Sequence, residues 1–445
     1  MSFFILVLII VGIIIFQKVD IDRNVKKISL AYLLMTGVIL FISSLNPLKL
    51  YNVSNYTYLL VIVSIIAFIV PFFLISKKII KEKPTYNIMN ENISVTLNKL
   101  LKSKIFISIV ILNLILVTIY KIKYDFIIQD LPKQEIRMAR FNSLFSNTME
   151  ALFFNYIITG LVNILSIIFS ISLVHKKFKN LVFILIGLNI IIYSLIGYGR
   201  MIYFNIFLYI VINMLLKRDI RSYINKKFLV KLVSVCLVVF AIFTSMVYMR
   251  IGKKSSSVGE NIVLSVKNQF EQVVVYLVGE YRLLDYFIEN GFEDFKSYTL
   301  GRATLAGAEE ILLYPIKAFG IDVKSFNNIV SQYTQKSILI GENNSYFNAY
   351  YTCIMNYYLD FGILGVIIFP ILHSALIVLA LKNYYLQKNV YSLMLFSFVL
   401  LNLFFGVIRW NYQSGTTVFV LAILIVLNML NKPKLSEEKT LNEDF

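Results

Sequence analysis

Long apolar runs alternate with short polar connections along almost the whole chain, and this pattern predicts a bundle of membrane-spanning helices. A helix that crosses a bilayer needs about 20 mostly apolar residues. We therefore expect an all-α polytopic membrane protein with about eleven transmembrane helices. The predicted spans are 2–16, 28–46, 57–76, 105–120, 148–174, 181–197, 201–216, 229–248, 362–381, 390–408 and 415–430.

The distribution of Lys and Arg over the short connections predicts the orientation of this bundle. The short connections on one side of the membrane hold 15 basic residues, whereas those on the other side hold three. Short cytoplasmic loops are enriched in Lys and Arg. This asymmetry predicts an N-terminus outside and a C-terminus in the cytoplasm. The basic connections are 17–27, 175–180, 217–231 and 382–389.

The composition excludes several classes of protein. Of the 445 residues, 58% are hydrophobic and 15% are charged, whereas soluble domains are about 45–50% apolar and about 25% charged. A globular cytoplasmic enzyme, a disordered chain and a disulfide scaffold are therefore excluded. The net charge of +18 suggests nucleic acid at first, but basic residues between apolar segments are topology signals. We expect no nucleic-acid partner.

One long connection breaks the rhythm of spans and short loops. It divides the chain into eight spans (1–248), a large extracytoplasmic loop (249–361), three further spans (362–430) and a cytoplasmic tail (431–445). Within the loop, the stretch 262–288 is amphipathic rather than uniformly apolar. This pattern favours a helix that lies on or dips into the membrane surface, and a twelfth span is the alternative.

Ionisable residues are missing from the interiors of the spans and collect at their outer ends. His373 is the one exception, and a packing contact explains a lone polar side chain better than a proton relay. Because transporters place ionisable groups deep in the membrane, this weakens a transport function. An Arg at an outer end either snorkels to headgroups or holds phosphate oxygens with its planar fork. The outer charged residues are Arg200, Arg250, Arg302, Asp360 and Arg409.

A tyrosine-rich motif opens the ninth predicted span: Tyr351-Thr352, then Tyr357-Tyr358-Leu359-Asp360-Phe361-Gly362. Together with Gly197-Tyr198-Gly199-Arg200 and the large outer loop, it resembles the Wzy-type polymerases of O-antigen and capsular polysaccharide repeat units. The resemblance covers the fifth to the tenth span. It implies a C-type glycosyltransferase bundle, a bacterial inner membrane and transfer of a growing glycan between undecaprenyl-diphosphate-linked oligosaccharides. It also allows for a partner protein that regulates chain length.

The resemblance implies catalytic roles for Arg200 and Arg302, and topology adds Arg250 and Arg409 as phosphate-binding candidates. Asp360 is either a catalytic carboxylate or the N-cap of a helix. The tyrosines form either an interfacial belt or a platform for sugar rings. The candidate bases are Glu280, Asp285, Glu309, Glu310, Glu342 and Asp360, with Glu342 and Asp360 taken as catalytic, and the candidate sugar-binding residues are Tyr198, Tyr351, Tyr357 and Tyr358.

Two other functions stay open on the sequence alone. O-antigen ligases resemble these polymerases but use an outer histidine, and this chain has no histidine in its predicted outer segments. A polysaccharide flippase or other transporter is the second alternative. No His, Cys and carboxylate cluster has metal-ligand spacing, so we predict no metal and no cofactor.

Overall fold

The computed structural model is a helical bundle, and it describes residues 11–12, 22–80, 86–129, 131, 143–177, 180–196, 199, 201–217, 258–291, 295, 297–321, 323–342, 345–348 and 351–431. Nine of the eleven predicted spans lie in these residues, and each coincides with a helix. Five of the helices are long and apolar enough to cross a membrane, and the other four are shorter apolar helices. The predicted span 229–248 and nearly all of 2–16 lie outside the described residues.

The described elements follow one another with short connections. The helices are α1 (Arg23–Ser44), α2 (Asn55–Ile79), α3 (Tyr86–Lys102), α4 (Lys104–Ile128), α5 (Thr148–Val174), α6 (Leu181–Leu195), α7 (Met201–Leu216), α8 (Val258–Tyr286), α9 (Ala306–Leu312), α10 (Tyr314–Ala318), α11 (Phe326–Thr334), α12 (Cys353–Phe361), α13 (Ile363–Gln387), α14 (Val390–Gly406) and α15 (Gly415–Leu430). Two strands, β1 (Ile338–Gly341) and β2 (Ser345–Phe347), form an antiparallel hairpin.

Polar side chains fix where the apolar helices begin. The Asp22 carboxylate accepts hydrogen bonds from the first amides of α1, and the Ser54 hydroxyl accepts one from Thr57 in α2. Asn389 and Ser392 form a reciprocal capping box at the start of α14. These caps satisfy amides that have no partner within the helix, so each span begins at a residue that the local sequence determines.

Of the helices that the structure describes, α14 has the most completely buried side chains, and it lies at the centre of the bundle. All of its residues except Tyr391 are buried. A helix that is apolar on every face belongs inside a protein. Amide side chains connect the surrounding helices, for example Asn113 to Asn189 at 2.9 Å between α4 and α6, and Ser397 to Asn213 at 3.2 Å between α14 and α7. Such contacts fix neighbouring helices where lipid supplies no hydrophobic force between them.

The connections separate into two sets at opposite ends of the bundle, as the predicted alternation requires. At one end, Lys27 donates to the Leu215 carbonyl and Tyr385 donates to Asp22. At the other end, which we call the loop end, the described residues of the segments 44–54, 280–361 and 409–415 contact one another. The charge count of the sequence predicts that the loop end faces away from the cytoplasm.

Helix α3 was not predicted, because its segment is too polar to span a bilayer. Its buried residues Met89, Ile93, Leu97 and Leu101 recur every four positions. That spacing places them on one helix face, which packs against α4 and α14. The signal was present in the sequence, but a search for long apolar runs does not detect a short amphipathic helix.

The amphipathic stretch 262–288 forms α8, but its last turns do not lie on a surface. Residues 278–285 are all buried, whichever face of the helix they occupy. The α8 helix packs against α1, α2 and the β-hairpin. Charged side chains hold these turns in place, because Arg282 and Asp285 bind the loop ends of α1 and α2, as described below.

Candidate active site at the loop end

Of the candidate arginines that the structure describes, Arg302 is the exposed one, and it lies on the turn 299–304. Leu300 and Gly301 both have positive φ angles, 52° and 95°. Glycine adopts this conformation freely, but a leucine in it costs about 1 kcal/mol. Strained residues of this kind persist only when their surroundings determine them, and they cluster at functional sites.

Asp360 supplies that determination from another part of the chain. Its carboxylate is fully buried and accepts hydrogen bonds from the backbone amides of Ala303 (2.9 Å) and Thr304 (2.8 Å) and from the Thr299 hydroxyl. The backbone amide of Leu300 also donates to the Asp360 carbonyl, at 3.3 Å. Asp360 therefore positions the turn. It is not the N-cap of the following helix, because α13 begins after Gly362.

The connection 409–413 holds the same turn from its other side. The Trp410 indole donates to the Thr304 carbonyl at 2.7 Å. From α12, the Asn356 side-chain amide donates to the neighbouring Ala303 carbonyl at 2.9 Å. Trp410 packs edge-on against Tyr357 and His373, with ring centroids 5.2 and 5.6 Å apart. This aromatic contact accounts for His373, which was expected to be a packing residue.

Arg302 projects from this turn. Its side chain is 57% exposed, and one of its N–H groups donates to Glu309 Oε1 at 2.8 Å. The guanidinium also lies 5.1 Å from the centre of the Phe326 ring. An exposed ion pair contributes only about 0–1 kcal/mol. An incoming anion can therefore replace Glu309 as the partner of Arg302 at little cost.

A second carboxylate lies on the next residue of α9 and faces the bundle. Glu310 Oε2 accepts hydrogen bonds from the Asn327 amide at 2.9 Å and from the Gly415 backbone amide at 3.0 Å. The buried Tyr156 side chain approaches from the π-helical turn of α5. A Cβ at position 415 would lie 2.2 Å from the Tyr156 oxygen, so glycine is required where these segments meet.

The candidate tyrosines of the motif are mostly interior residues. Tyr351 and Tyr357 are only 4% and 2% exposed, and the Tyr357 ring stacks on Phe369 with centroids 5.3 Å apart. These two rings are core residues and do not offer a face to a sugar in this structure. Tyr358 is half-buried, and burial together with a hydrogen bond to Tyr56 raises its pKa to about 12. Its phenol is therefore neutral at physiological pH.

Of the remaining candidates, Glu342 lies apart from the turn 299–304 and Arg409 lies near it. Glu342 is exposed at the end of β1, where its backbone amide donates to the Lys49 carbonyl at 3.2 Å. Arg409 lies next to Trp410, and its Nε donates to Asn411 Oδ1 at 2.7 Å. Tyr198, Arg200 and Arg250 lie outside the described residues.

The charged residues of α8 serve the fold. The Arg282 guanidinium is buried and donates to Ser43, Asn46, Tyr51 and Val278, at 2.8 to 3.1 Å. Asp285, three residues later, accepts from the amide and hydroxyl groups at the start of α2. This use of its carboxylate removes Asp285 from the candidate bases.

Glu280 is the third charged residue of this helix end, and it is fully buried. Among the described residues, neither of its carboxylate oxygens has a hydrogen-bond partner. Burial raises the pKa of the Glu280 carboxyl well above its usual value. Of the six candidate bases, Glu309 is the one whose carboxylate contacts Arg302.

Several residues of the site carried no signal in the sequence. Trp410, Asn356 and Tyr156 are separated along the chain from the turn that they approach, and each resembles an ordinary interfacial or core residue. No group of three metal-ligating side chains is found in the part of the chain that the structure describes. Comparison with family models, curated proteins and solved structures finds no match for this chain.

Proposed function

We propose that this protein is a membrane glycosyltransferase that polymerises lipid-diphosphate-linked oligosaccharide repeat units at the loop end of its bundle. The substrate class comes from the motif around Asp360, which resembles those of Wzy-type polymerases. The multi-pass membrane architecture, with its five long and four shorter apolar helices among the described residues, agrees with a substrate that is anchored in the bilayer.

The observation that supports the proposal most directly is the way Arg302 is presented. Asp360 accepts hydrogen bonds from the backbone amides of Ala303 and Thr304 after the arginine, and its carbonyl accepts one from Leu300 before it. The Trp410 indole donates to the Thr304 carbonyl. Its guanidinium itself is exposed and holds a weak, exchangeable partner. A preorganised cation that is free to take a new anion is suited to a diphosphate, whose oxygens gain charge as the glycosidic bond breaks.

The carboxylate beside Arg302 supplies the base for the reaction. An acceptor hydroxyl attacks the anomeric carbon of the donor glycan, and the bond from that carbon to the lipid diphosphate breaks. The leaving diphosphate takes the electron pair and is stabilised by Arg302. Glu309, released from Arg302 by the diphosphate, accepts the proton of the attacking hydroxyl. The oxygen that takes this proton is Oε1, which faces Arg302 before the exchange.

Purified protein in nanodiscs tests the proposal directly. It is given lipid-diphosphate-linked repeat units without nucleotide sugar or ATP, and we expect longer glycans together with free lipid diphosphate. The Arg302→Ala variant should lose most of this activity. The matched control is Arg23→Ala, at the opposite end of the bundle, which should retain it.

Two outcomes would contradict the proposal. One is normal elongation by a folded Arg302→Ala variant. The other is movement of unchanged lipid-linked units across the bilayer without elongation, which would indicate a flippase instead.

A further inference from the structure

Large apolar side chains stand exposed along residues 298–319, a stretch that includes the turn 299–304. Leu300, Leu312 and Phe319 are 74%, 76% and 85% exposed. Such a concentration is unusual on a surface that faces water. We call the following set the apolar collar: Tyr298, Leu300, Leu305, Leu312, Ile316 and Phe319.

Four members of the collar share one helix face. The backbone hydrogen bonds from Leu313 to Glu309 and from Lys317 to Leu313, at 2.9 and 3.0 Å, continue the helical path from α9 into α10. Residues 305, 312, 316 and 319 then recur at spacings of seven, four and three, which is one stripe of a helix.

The opposite face of this helix is fixed against the bundle. Gly307 packs so closely that a Cβ there would lie 2.4 Å from the Tyr412 carbonyl, and Glu310 binds the first amide of α15. The apolar stripe therefore cannot turn inward without breaking these contacts.

The collar is continuous with exposed apolar surface at the outer ends of two spans. On one side, Tyr314 packs against Tyr156 at 4.8 Å between ring centroids, next to Met149 and Phe153 on α5, which are exposed. On the other side, the Leu300 backbone amide donates a hydrogen bond to the Asp360 carbonyl. Exposed Phe361, Ile363 and Leu364 follow Asp360 at the start of α13.

We infer that the apolar collar is immersed in the outer-leaflet interface of the membrane, with acyl chains and headgroups as its occupant. The exposed apolar surface of a spanning helix faces lipid, and the collar extends that surface at both α5 and α13. The half-buried Lys317 on α10 is placed to reach phosphate headgroups beside an apolar stripe, as interfacial helices do. This inference does not depend on the proposed function.

The consequence concerns access to the candidate site. Glu309 and Glu310 lie on the same helix as the collar, so an immersed collar places both carboxylates at the level of the headgroups. A lipid-anchored substrate then reaches Arg302 from within the leaflet, without leaving the membrane.

Tryptophan fluorescence tests the immersion. Phe319→Trp and Leu312→Trp are prepared separately in nanodiscs whose lipids are brominated close to the headgroup, and the signal of the buried Trp410 is subtracted with wild-type protein. Ile115→Trp on the exposed face of α4 is the lipid-facing control. Asn290→Trp, on an exposed polar turn, is the control for contact with water.

We expect the probes at 312 and 319 to be quenched by the brominated lipid more strongly than the probe at 115, which lies in the middle of α4 and so farther from the bromines, and to be protected from aqueous iodide. Iodide quenching equal to that of the probe at 290 would overturn the inference. Protection from both quenchers would also overturn it, because it would show that protein, such as a second copy of the chain, covers the collar. Size-exclusion chromatography identifies a misfolded variant, and the two positions serve as independent probes.

Discussion

Arg282 and Arg302 lie at the same end of the bundle and use the same guanidinium group in opposite ways. Arg282 is buried, and its N–H groups donate to Ser43, Asn46, Tyr51 and Val278. Arg302 is 57% exposed and donates to Glu309. In the first region, the arginine side chain binds and fixes the backbone around it. In the second region, the backbone is fixed by other residues, and the arginine side chain extends from it towards solvent.

The acidic residues of the two regions differ in the same way. Asp285 is buried and accepts hydrogen bonds from the groups at the start of α2. Glu309, in contrast, is bonded through one oxygen to an exposed cation. Charge that is buried and saturated with hydrogen bonds stabilises a fold, whereas charge that is exposed above a rigid support is free to bind a ligand. The comparison therefore separates structural residues from site residues.

The largest expected effect comes from removing the buried guanidinium. Arg282→Met leaves several buried carbonyl and hydroxyl oxygens without a donor, and we expect it to destabilise the protein by about 3–5 kcal/mol. Thermal unfolding in detergent, followed by size-exclusion chromatography, measures this loss. Arg302→Met is the matched control and should change stability by less than about 1 kcal/mol. Equal losses in the two variants would contradict the distinction between the regions.

The second effect is on activity alone. Arg302→Lys keeps the positive charge but not the planar fork that binds phosphate through two N–H groups. We expect elongation of lipid-linked repeat units to fall by about tenfold or more, which corresponds to about 1.4 kcal/mol of transition-state stabilisation. The unfolding temperature should match that of the wild type. A lysine variant with full activity would remove Arg302 from the site.

The two regions also differ in how far the sequence predicts them. The spans are visible in the sequence because a bilayer requires contiguous apolar residues, so each is specified locally. The role of Asp360 is not visible in the local sequence, because its partners Ala303 and Thr304 lie 57 and 56 residues away along the chain. A charged residue next to a predicted helix suggests a cap or a catalytic group, and only tertiary structure shows that it binds another turn.

The same reason explains the tyrosines. An interfacial belt, a sugar platform and a buried core all use aromatic residues at membrane boundaries. The sequence therefore left the role of Tyr351 and Tyr357 open, and their burial decides in favour of packing. The buried role of Arg282 carries no such signal either, because a charged residue in an amphipathic stripe is usually solvated, whereas here the loop end of α1 and the connection to α2 accept its hydrogen bonds.

A smaller effect tests how the turn is held. Asp360→Asn removes the charge and replaces one acceptor oxygen by a donor, so at least one of its three hydrogen bonds to the turn is lost. We expect a stability loss of about 1–3 kcal/mol. Hydrogen exchange should become faster at residues 299–304 and stay unchanged at 278–285. Uniformly faster exchange over the whole loop end would show that Asp360 supports the fold in general and does not specifically position Arg302.

The burial of Glu280 predicts how the stability of the protein changes with pH. Because burial raises the pKa of this carboxyl well above its ordinary value of 4.5, the folded protein keeps a proton that the unfolded chain releases as the pH rises. Between the unfolded and the folded pKa, the native state binds more protons, so stability must fall with rising pH by up to about 1.4 kcal/mol per unit.

Glu280→Gln has nearly the same shape and no ionisation. The variant should therefore match the wild type below about pH 4, where the carboxyl is protonated in both states, and exceed it increasingly above that pH. Thermal unfolding of both proteins from pH 4 to pH 8 gives the comparison, with Glu342→Gln, at an exposed position, as the matched control. Parallel stability curves for wild type and Glu280→Gln would show that Glu280 is not held as a neutral acid inside the loop end.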